Sequence, residues 1–387
     1  MSELGSICRF QSGGTPSKGK VEYFSGDIPW ITTVALNGSR IDEKDAVDWI
    51  TERAIQETAA KIVPAYSIMV GTRVGVGKVA INTVDMSTSQ DIISLLDIDE
   101  SRWDKDYICK FIQSKSAFLV SQARGATIKG IKIDILASLE IPDLPLSEQK
   151  HISKVIDVVT DLIRARRTEL SAFDELIKAR FVEMFGDPEH NSKDWPVQPL
   201  DSLCSIGSSK RIYQNEQSAD GVPFWRISDL VSKMDTGVAD SGLFIPEEKY
   251  QELTQAGLVP VEGDILVTSR GTLGRCYIVQ KEDRFYFQDG MISWLSDYAE
   301  SITPLYLQYL FTMTGFRKQI DGMQAGSTVA YLSIAMLKKL QIMVPAKEAQ
   351  IEFAAFVAQV DKSKFAVQKA LDEAQTLFDS LMQQYFG

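Results

Sequence analysis

Residues 147–188 read SEQKHISKVIDVVTDLIRARRTELSAFDELIKARFVEMFGDP, and residues 347–387 read KEAQIEFAAFVAQVDKSKFAVQKALDEAQTLFDSLMQQYFG. In the first stretch, one heptad row runs Ile152, Val159, Arg166, Phe173, Arg180 and its partner row Ile156, Ile163, Leu170, Ile177, Met184. The second stretch gives Phe353, Val360, Val367, Ala374, Leu381 and Val357, Lys364, Leu371, Phe378, Tyr385. A mainly apolar seam sustained over five heptads predicts a coiled-coil helix. Ser147, Glu148 and Gln149 supply start signals, and Gly186-Asp-Pro188 is a stop. About 36 helical residues span roughly 54 Å. The two seams most simply bury each other as an antiparallel pair, with Ile156, Ile163, Leu170 and Ile177 facing Val360, Val367, Leu371 and Phe378. A helix packed only on its own module is the plainer alternative.

Working outward, the chain repeats itself. Leu4-Gly-Ser-Ile-Cys8 returns 196 residues on as Leu200-Asp-Ser-Leu-Cys204. Thr72-Arg73 with Val76-Gly-Lys78 returns as Ser269-Arg270 with Leu273-Gly-Arg275, and Gln90-Asp91 as Gln288-Asp289. Ile28-Pro-Trp30 returns loosely as Val222-Pro-Phe-Trp225. Gly125-Ala-Thr127, Leu136 to Ile141 and Phe185-Gly186 return 201 residues on, as Gly326-Ser-Thr328, Leu337 to Ile342 and Phe386-Gly387. The matches keep their order and the offset drifts one way, as small insertions would make it. The period is too long for a solenoid and implies two whole modules. Short β-rich runs such as Ile265-Leu-Val-Thr268 and Tyr277-Ile-Val279 make each module mixed, and Ser12-Gly-Gly-Thr-Pro-Ser17 reads as a loop. The expected fold is α+β: mixed modules at 1–146 and 188–346, long helices at 147–187 and 347–387, and an antiparallel coiled coil within a pseudo-two-fold repeat.

Composition bounds the function. The chain has 387 residues, 44% of them hydrophobic, with a net charge of -11. That balance weighs against gripping nucleic acid by bulk charge, though a local basic stripe or a cationic partner can supply it. No run reaches the roughly 18 apolar residues of a membrane span, and the start MSELGSICRFQ does not read as a signal peptide. Four scattered cysteines, Cys8, Cys109, Cys204 and Cys276, fit reduced thiols in a cytoplasmic protein.

Catalytic signatures are missing from the sequence. His151 and His190 are the two histidines, so no H-E-x-x-H site can form, and no G-x-S-x-G elbow is present. Gly75-Val-Gly-Lys78 imitates a phosphate loop, but Thr72 stands where the first glycine belongs and Val79 lacks the hydroxyl needed for magnesium. A tight turn carrying one basic side chain fits both copies better. No catalytic residue, metal or cofactor is therefore assigned to this chain. Two similar but unequal modules on a spacer suit an extended ligand such as duplex DNA, read at two unlike half-sites separated by a gap. Side chains able to read bases or phosphates in the shared loops are Lys18, Thr32, Arg73, Lys78, Gln90, Arg124 and Lys129 in the first module. In the second they are Lys210, Arg211, Arg226, Arg270, Arg275, Gln288 and Arg317. A non-catalytic scaffold that binds two proteins with the same framework is the competing function.

Several stretches together resemble the DNA specificity subunits of type I restriction–modification systems. Ser12-Gly-Gly-Thr-Pro-Ser17 followed by Ile28-Pro-Trp-Ile31 is similar to the opening of that family's recognition domains. Gly125-Ala-Thr-Ile128 through Leu139-Glu-Ile-Pro142, then Leu146 with Glu148, Gln149 and Ile152, resembles its junction into a helical region. Met184-Phe-Gly-Asp-Pro188 with Trp195 resembles its passage into the second domain. The resemblance implies a subunit without chemistry of its own that binds double-stranded DNA. It also implies pairing with two methyltransferase subunits carrying S-adenosylmethionine, and with a motor endonuclease that uses ATP and magnesium. The helices would set the gap and dock the methyltransferase subunits. The chain departs from the pattern at Lys347-Glu-Ala-Gln350, where Ala349 replaces the glutamate and puts local capping in doubt.

Overall fold

The computed structural model describes residues 1–38, 40–125, 129–324 and 330–387. Thr127 and the Gly326-Ser-Thr328 turn lie outside the described residues. Two units emerge, residues 1–167 with 369–387, and residues 168–368. The division runs through both long helices rather than between helix and module. Each unit is one mixed module with part of each helix, because the helical apolar rows complete the module's core.

In the first unit, a five-stranded sheet has the order Arg9–Ser12, Ile92–Leu96, Ile68–Gly71, Val79–Asn82, Arg40–Ile41. A four-stranded sheet has the order Asp48–Ile50, Ile28–Ile31, Met86–Thr88, Ile62–Val63. The second unit repeats the plan. Its larger sheet runs Ser205–Gly207, Ile292–Ser296, Ile265–Thr268, Cys276–Ile278, and its smaller one Phe244–Ile245, Val222–Trp225, Tyr286–Phe287. The Pro-containing strands Ile28–Ile31 and Val222–Trp225 are central in both copies, each with an antiparallel neighbour on one side and a parallel one on the other. The Leu4 and Leu200 repeats also share one role. Each leucine is fully buried, and its N–H donates to a carbonyl just before a short strand, Leu139 at 2.9 Å and Leu340 at 2.9 Å.

The long helices are Leu146–Phe185 and Lys347–Phe386. Within the first unit, Ile152 and Ile156 share a core with Met382 and Phe386, while Val159 and Ile163 meet Ala374, Leu371, Phe378 and Leu381. Numbers rise along one helix as they fall along the other, so the pairing is antiparallel. The second unit shows the same sense: Lys364 bonds Asp174 at 2.6 Å and Arg180 bonds Glu352 at 2.8 Å. There Ile177, Phe181 and Phe185 join Phe353, Val357 and Val360 in one core. Of the eight seam residues, Ile156, Ile163, Ile177, Val360 and Val367 are buried, and Leu170, Leu371 and Phe378 are half-buried. Arg180, in a row position, escapes burial of its charge by pairing with Glu183 and Glu352 along the seam's edge.

The helices are fastened to their modules by a repeated device. Gln149 is wholly buried; its carbonyl oxygen accepts from Asp104 N at 2.9 Å, and its amide donates to Arg102 O at 3.0 Å and Leu144 O at 2.8 Å. Gln350 does the same with Thr303 N at 2.8 Å, Ser301 O at 2.8 Å and Pro345 O at 2.9 Å. Ser147 and Glu148 are exposed and inside the first turn. The doubt over Ala349 is thereby resolved: the glutamine makes the junction, and Ala349 simply packs on the second core. At the far ends, Gly186 (φ +83) turns the chain, and the Trp195 indole donates to Phe185 O at 3.0 Å. Lys115 donates to Phe386 O in the first unit. Phe185 packs on Tyr306 and Phe353, as Phe386 packs on Tyr107 and Phe111.

Replacing Gln149 or Gln350 by alanine strands several buried backbone groups, which costs about 3 kcal/mol. Urea denaturation of the full chain is expected to show that loss for either variant, and a change within about 0.5 kcal/mol for the exposed Glu148→Ala.

Candidate nucleic-acid interface

Each module carries a hairpin whose loop is built the same way. In the first, residues 72–78 join Ile68–Gly71 to Val79–Asn82; in the second, residues 269–275 join Ile265–Thr268 to Cys276–Ile278. Gly71 N bonds Lys78 O at 2.8 Å and Gly77 N bonds Gly71 O at 2.9 Å. The counterparts are Thr268 N to Arg275 O at 2.9 Å and Gly274 N to Thr268 O at 2.8 Å. The loop root is tied to two further loops in each copy. Thr72 N donates to Asp91 O and Thr72 O accepts from Ile131 N, both at 2.8 Å. Ser269 N donates to Met291 O at 2.9 Å, and Ser269 O accepts from Leu332 N at 3.0 Å. Gly77 and Gly274 are needed at φ +79 and +71, and a Cβ there would lie 2.6 Å from Ser116 Oγ and 2.8 Å from Ile320 Cδ1. The false phosphate loop is thus a hairpin turn.

These ties gather most first-module candidates around one loop cluster. Gln90 N bonds Thr15 Oγ1 at 3.4 Å, Ser89 N bonds Ile31 O beside Thr32, and Gly130 bonds Arg124 while lying against Arg73. Lys18 follows three residues after Thr15 on the same loop. Lys18, Arg73, Lys78, Gln90, Arg124 and Lys129 are exposed, and Thr32 is half-buried. Arg73 lies 3.9 Å from Asp91. Among the described residues, Lys18, Lys78 and Lys129 have no carboxylate partner.

The second module divides its candidates. Lys210, Arg211, Arg226 and Arg270 are exposed. Arg211 bonds Asp289 at 2.8 Å, Lys210 lies 3.8 Å from Glu252, and Arg226 lies 3.6 Å from Asp229, whose carboxylate caps the Ile227–Thr236 helix through Arg226 N. The Arg270 guanidinium lies over the Tyr331 ring, 5.3 Å from its centroid. Arg275 is half-buried and bonds Asp235 at 2.5 Å. Arg317 is half-buried and donates to Leu273 O at 2.9 Å, within the hairpin loop. Gln288 departs from its sequence match. Its N–H donates to Trp225 O at 2.9 Å, the bond that Ser89 makes to Ile31 O in the first module, so it corresponds to Ser89 rather than Gln90. An extra loop residue shifts the register there.

Burial pushes the Cys8, Cys109 and Cys204 thiols up to about 12, and Cys276 upward too, so all four stay protonated and poorly nucleophilic. Asp187, Glu189 and His190 come together, but Asp187 holds the Glu189 N–H and Glu189 pairs with Lys318. No described helix is long and apolar enough to cross a membrane. The residues that sequence patterning missed are supports: Tyr331 beneath Arg270, and Ser269 bonded to Ser293 at 2.8 Å. Tyr331 follows the turn that the repeat marks, which was its one visible signal.

Comparison with known proteins gives the family and the fold. The family model for the type I restriction modification DNA specificity domain matches residues 1–172 and 192–374. The chain is 23% identical to the type I restriction enzyme MjaIX specificity subunit of Methanocaldococcus jannaschii, over 99% of this chain and 91% of that one. It is 25% identical to the MjaVIII specificity subunit of the same organism, over 71% and 69%. The fold is similar to that of the type I restriction–modification S subunit from M. genitalium, with TM-score 0.56, 17% identity, and 100% and 95% coverage. It is also similar to a chain from a structural study of type I complex assembly and conformational transition, with TM-score 0.59, 15% identity, and 100% and 96% coverage.

Arg317→Ala removes a bond to the hairpin and is expected to lower the unfolding free energy by about 1–2 kcal/mol, measured by urea denaturation. Lys78→Ala should leave melting unchanged while lowering the salt dependence of DNA binding by the assembled complex by about one counterion.

Proposed function

Because the chain belongs to the type I restriction–modification DNA specificity family, reading DNA sequence for such a system is its function, and we propose that it works as a two-headed reader for partner enzymes. Each module reads one half of a bipartite, asymmetric site. The observation that carries this reading is the duplicated hairpin scaffold: its backbone bonds and its first arginine recur, while the other side chains around it differ between copies. A fixed scaffold with variable side chains is what two unlike half-sites require, since bases are told apart by the donor and acceptor pattern of their edges.

The partners in this proposal are two methyltransferase subunits, which hold S-adenosylmethionine, and a motor endonuclease, which holds ATP and magnesium. This chain contributes selection and spacing, and the paired helices fix the gap and give the methyltransferase subunits a docking surface. With a net charge of -11 on the chain, part of the phosphate grip comes from those partners. The site works in the cytoplasm, where the DNA and the reduced thiols belong together.

Exchange of residues 190–345 for the matching module of another specificity subunit tests the reading. The reconstituted methyltransferase complex is expected to keep one half of its methylated motif and acquire a new other half. Retention of both halves would contradict it. Equal, register-preserving shortening of both helices should change the gap and leave the half-sites as they were.

A further inference from the structure

We propose that Arg73 and Arg270 each read a guanine, one in each half-site, and that Tyr331 is the positioning residue for Arg270. This rests on the reading of the two modules as half-site readers. Both arginines occupy one scaffold position. Each immediately follows the residue whose N–H and C=O tie the hairpin root to its two neighbouring loops, Thr72 in one copy and Ser269 in the other. The repeat therefore places a guanidinium at the same point of both readers, although the surrounding loop residues differ.

The other candidate arginines of the second module each lie near a carboxylate or bond a backbone carbonyl. Arg211 is held by Asp289, Arg226 lies beside Asp229, Arg275 is held by Asp235, and Arg317 donates to Leu273 O. Arg270 has no carboxylate partner among the described residues. Its guanidinium lies instead over the Tyr331 ring at 5.3 Å, and the two residues also form an antiparallel backbone bridge. A cation–π contact holds a guanidinium over a ring face while leaving its N–H donors open to a further partner. A planar fork held this way matches the O6 and N7 acceptors of guanine, which no other base edge presents as a pair in the major groove.

The first module holds its arginine differently. Gly130 takes the place of Tyr331 beside Arg73, and a Cβ there would come 2.9 Å from Arg73 Cγ. With no ring available, Arg73 is steadied by Asp91 at 3.9 Å. That distance leaves the fork free to leave the carboxylate for a base. The expected consequence is one guanine in each half-site, with the stricter discrimination in the half read by residues 190–345.

The test uses the complex with its methyltransferase and a plasmid library randomised through both half-sites, read by sequencing of methylated adenines. The wild-type motif should contain a guanine in each half. Arg270→Ala should relax one guanine of one half by roughly ten- to hundred-fold, and Arg73→Ala one guanine of the other half. Arg270→Lys, which keeps charge but loses the fork, should relax the same guanine. Tyr331→Leu should relax that position alone while Tyr331→Phe keeps it; loss of packing alone would lower methylation without relaxing a single base. Variants that stay stringent at every guanine while methylating less overall would mean phosphate contacts and overturn the assignment, leaving half-site reading intact. A wild-type complex with no bipartite motif would overturn both.

Discussion

The buried carboxamide at the start of each long helix is the constraint on which the rest depends. Gln149 and Gln350 each join three backbone groups to the long helix that carries them, two from the loop before a module's helix and one from two residues ahead of the long helix. A carboxamide can do this because it offers an acceptor and two donors in one plane. Buried as they are, these bonds are costly to leave unmade, so the helix leaves its module in one direction. The aromatic pairs at the other ends, Phe185 with Tyr306 and Phe386 with Tyr107, close the same arrangement.

With that geometry set, the modules need only present side chains. The hairpin root is bonded to two neighbouring loops in both copies, and its shape is enforced by a left-handed glycine with no space for a Cβ. Such a root tolerates change at its exposed positions, because their side chains do not support it. Specificity can then vary without threat to the fold, which suits a subunit that selects sites for enzymes carried by other chains.

The helices and the repeat were legible in the sequence because both leave periodic marks: the heptad rows, and ordered matches such as Leu4 with Leu200 and Gly77 with Gly274. The site was legible as a set of loops but not as a set of contacts. Arg317 and Arg270 look alike in sequence; only the fold shows one turned inward to Leu273 O and the other laid on Tyr331. Gln288 illustrates the same limit, since a one-residue shift in a loop is invisible when two glutamine–aspartate pairs align so well. The role of Gln149 was half visible. It stood among start signals, while its bonds to residues about 45 positions earlier are long-range and carry no local pattern.

The central claim is that this chain chooses the DNA site. The most direct measurement is methylome sequencing of plasmid DNA from cells that express a partner methyltransferase with and without this chain. The account predicts a modified adenine in each half of a gapped, non-palindromic motif, present only when this chain is made. Methylation at the same motif without the chain, or none with it despite a soluble complex, would contradict the account.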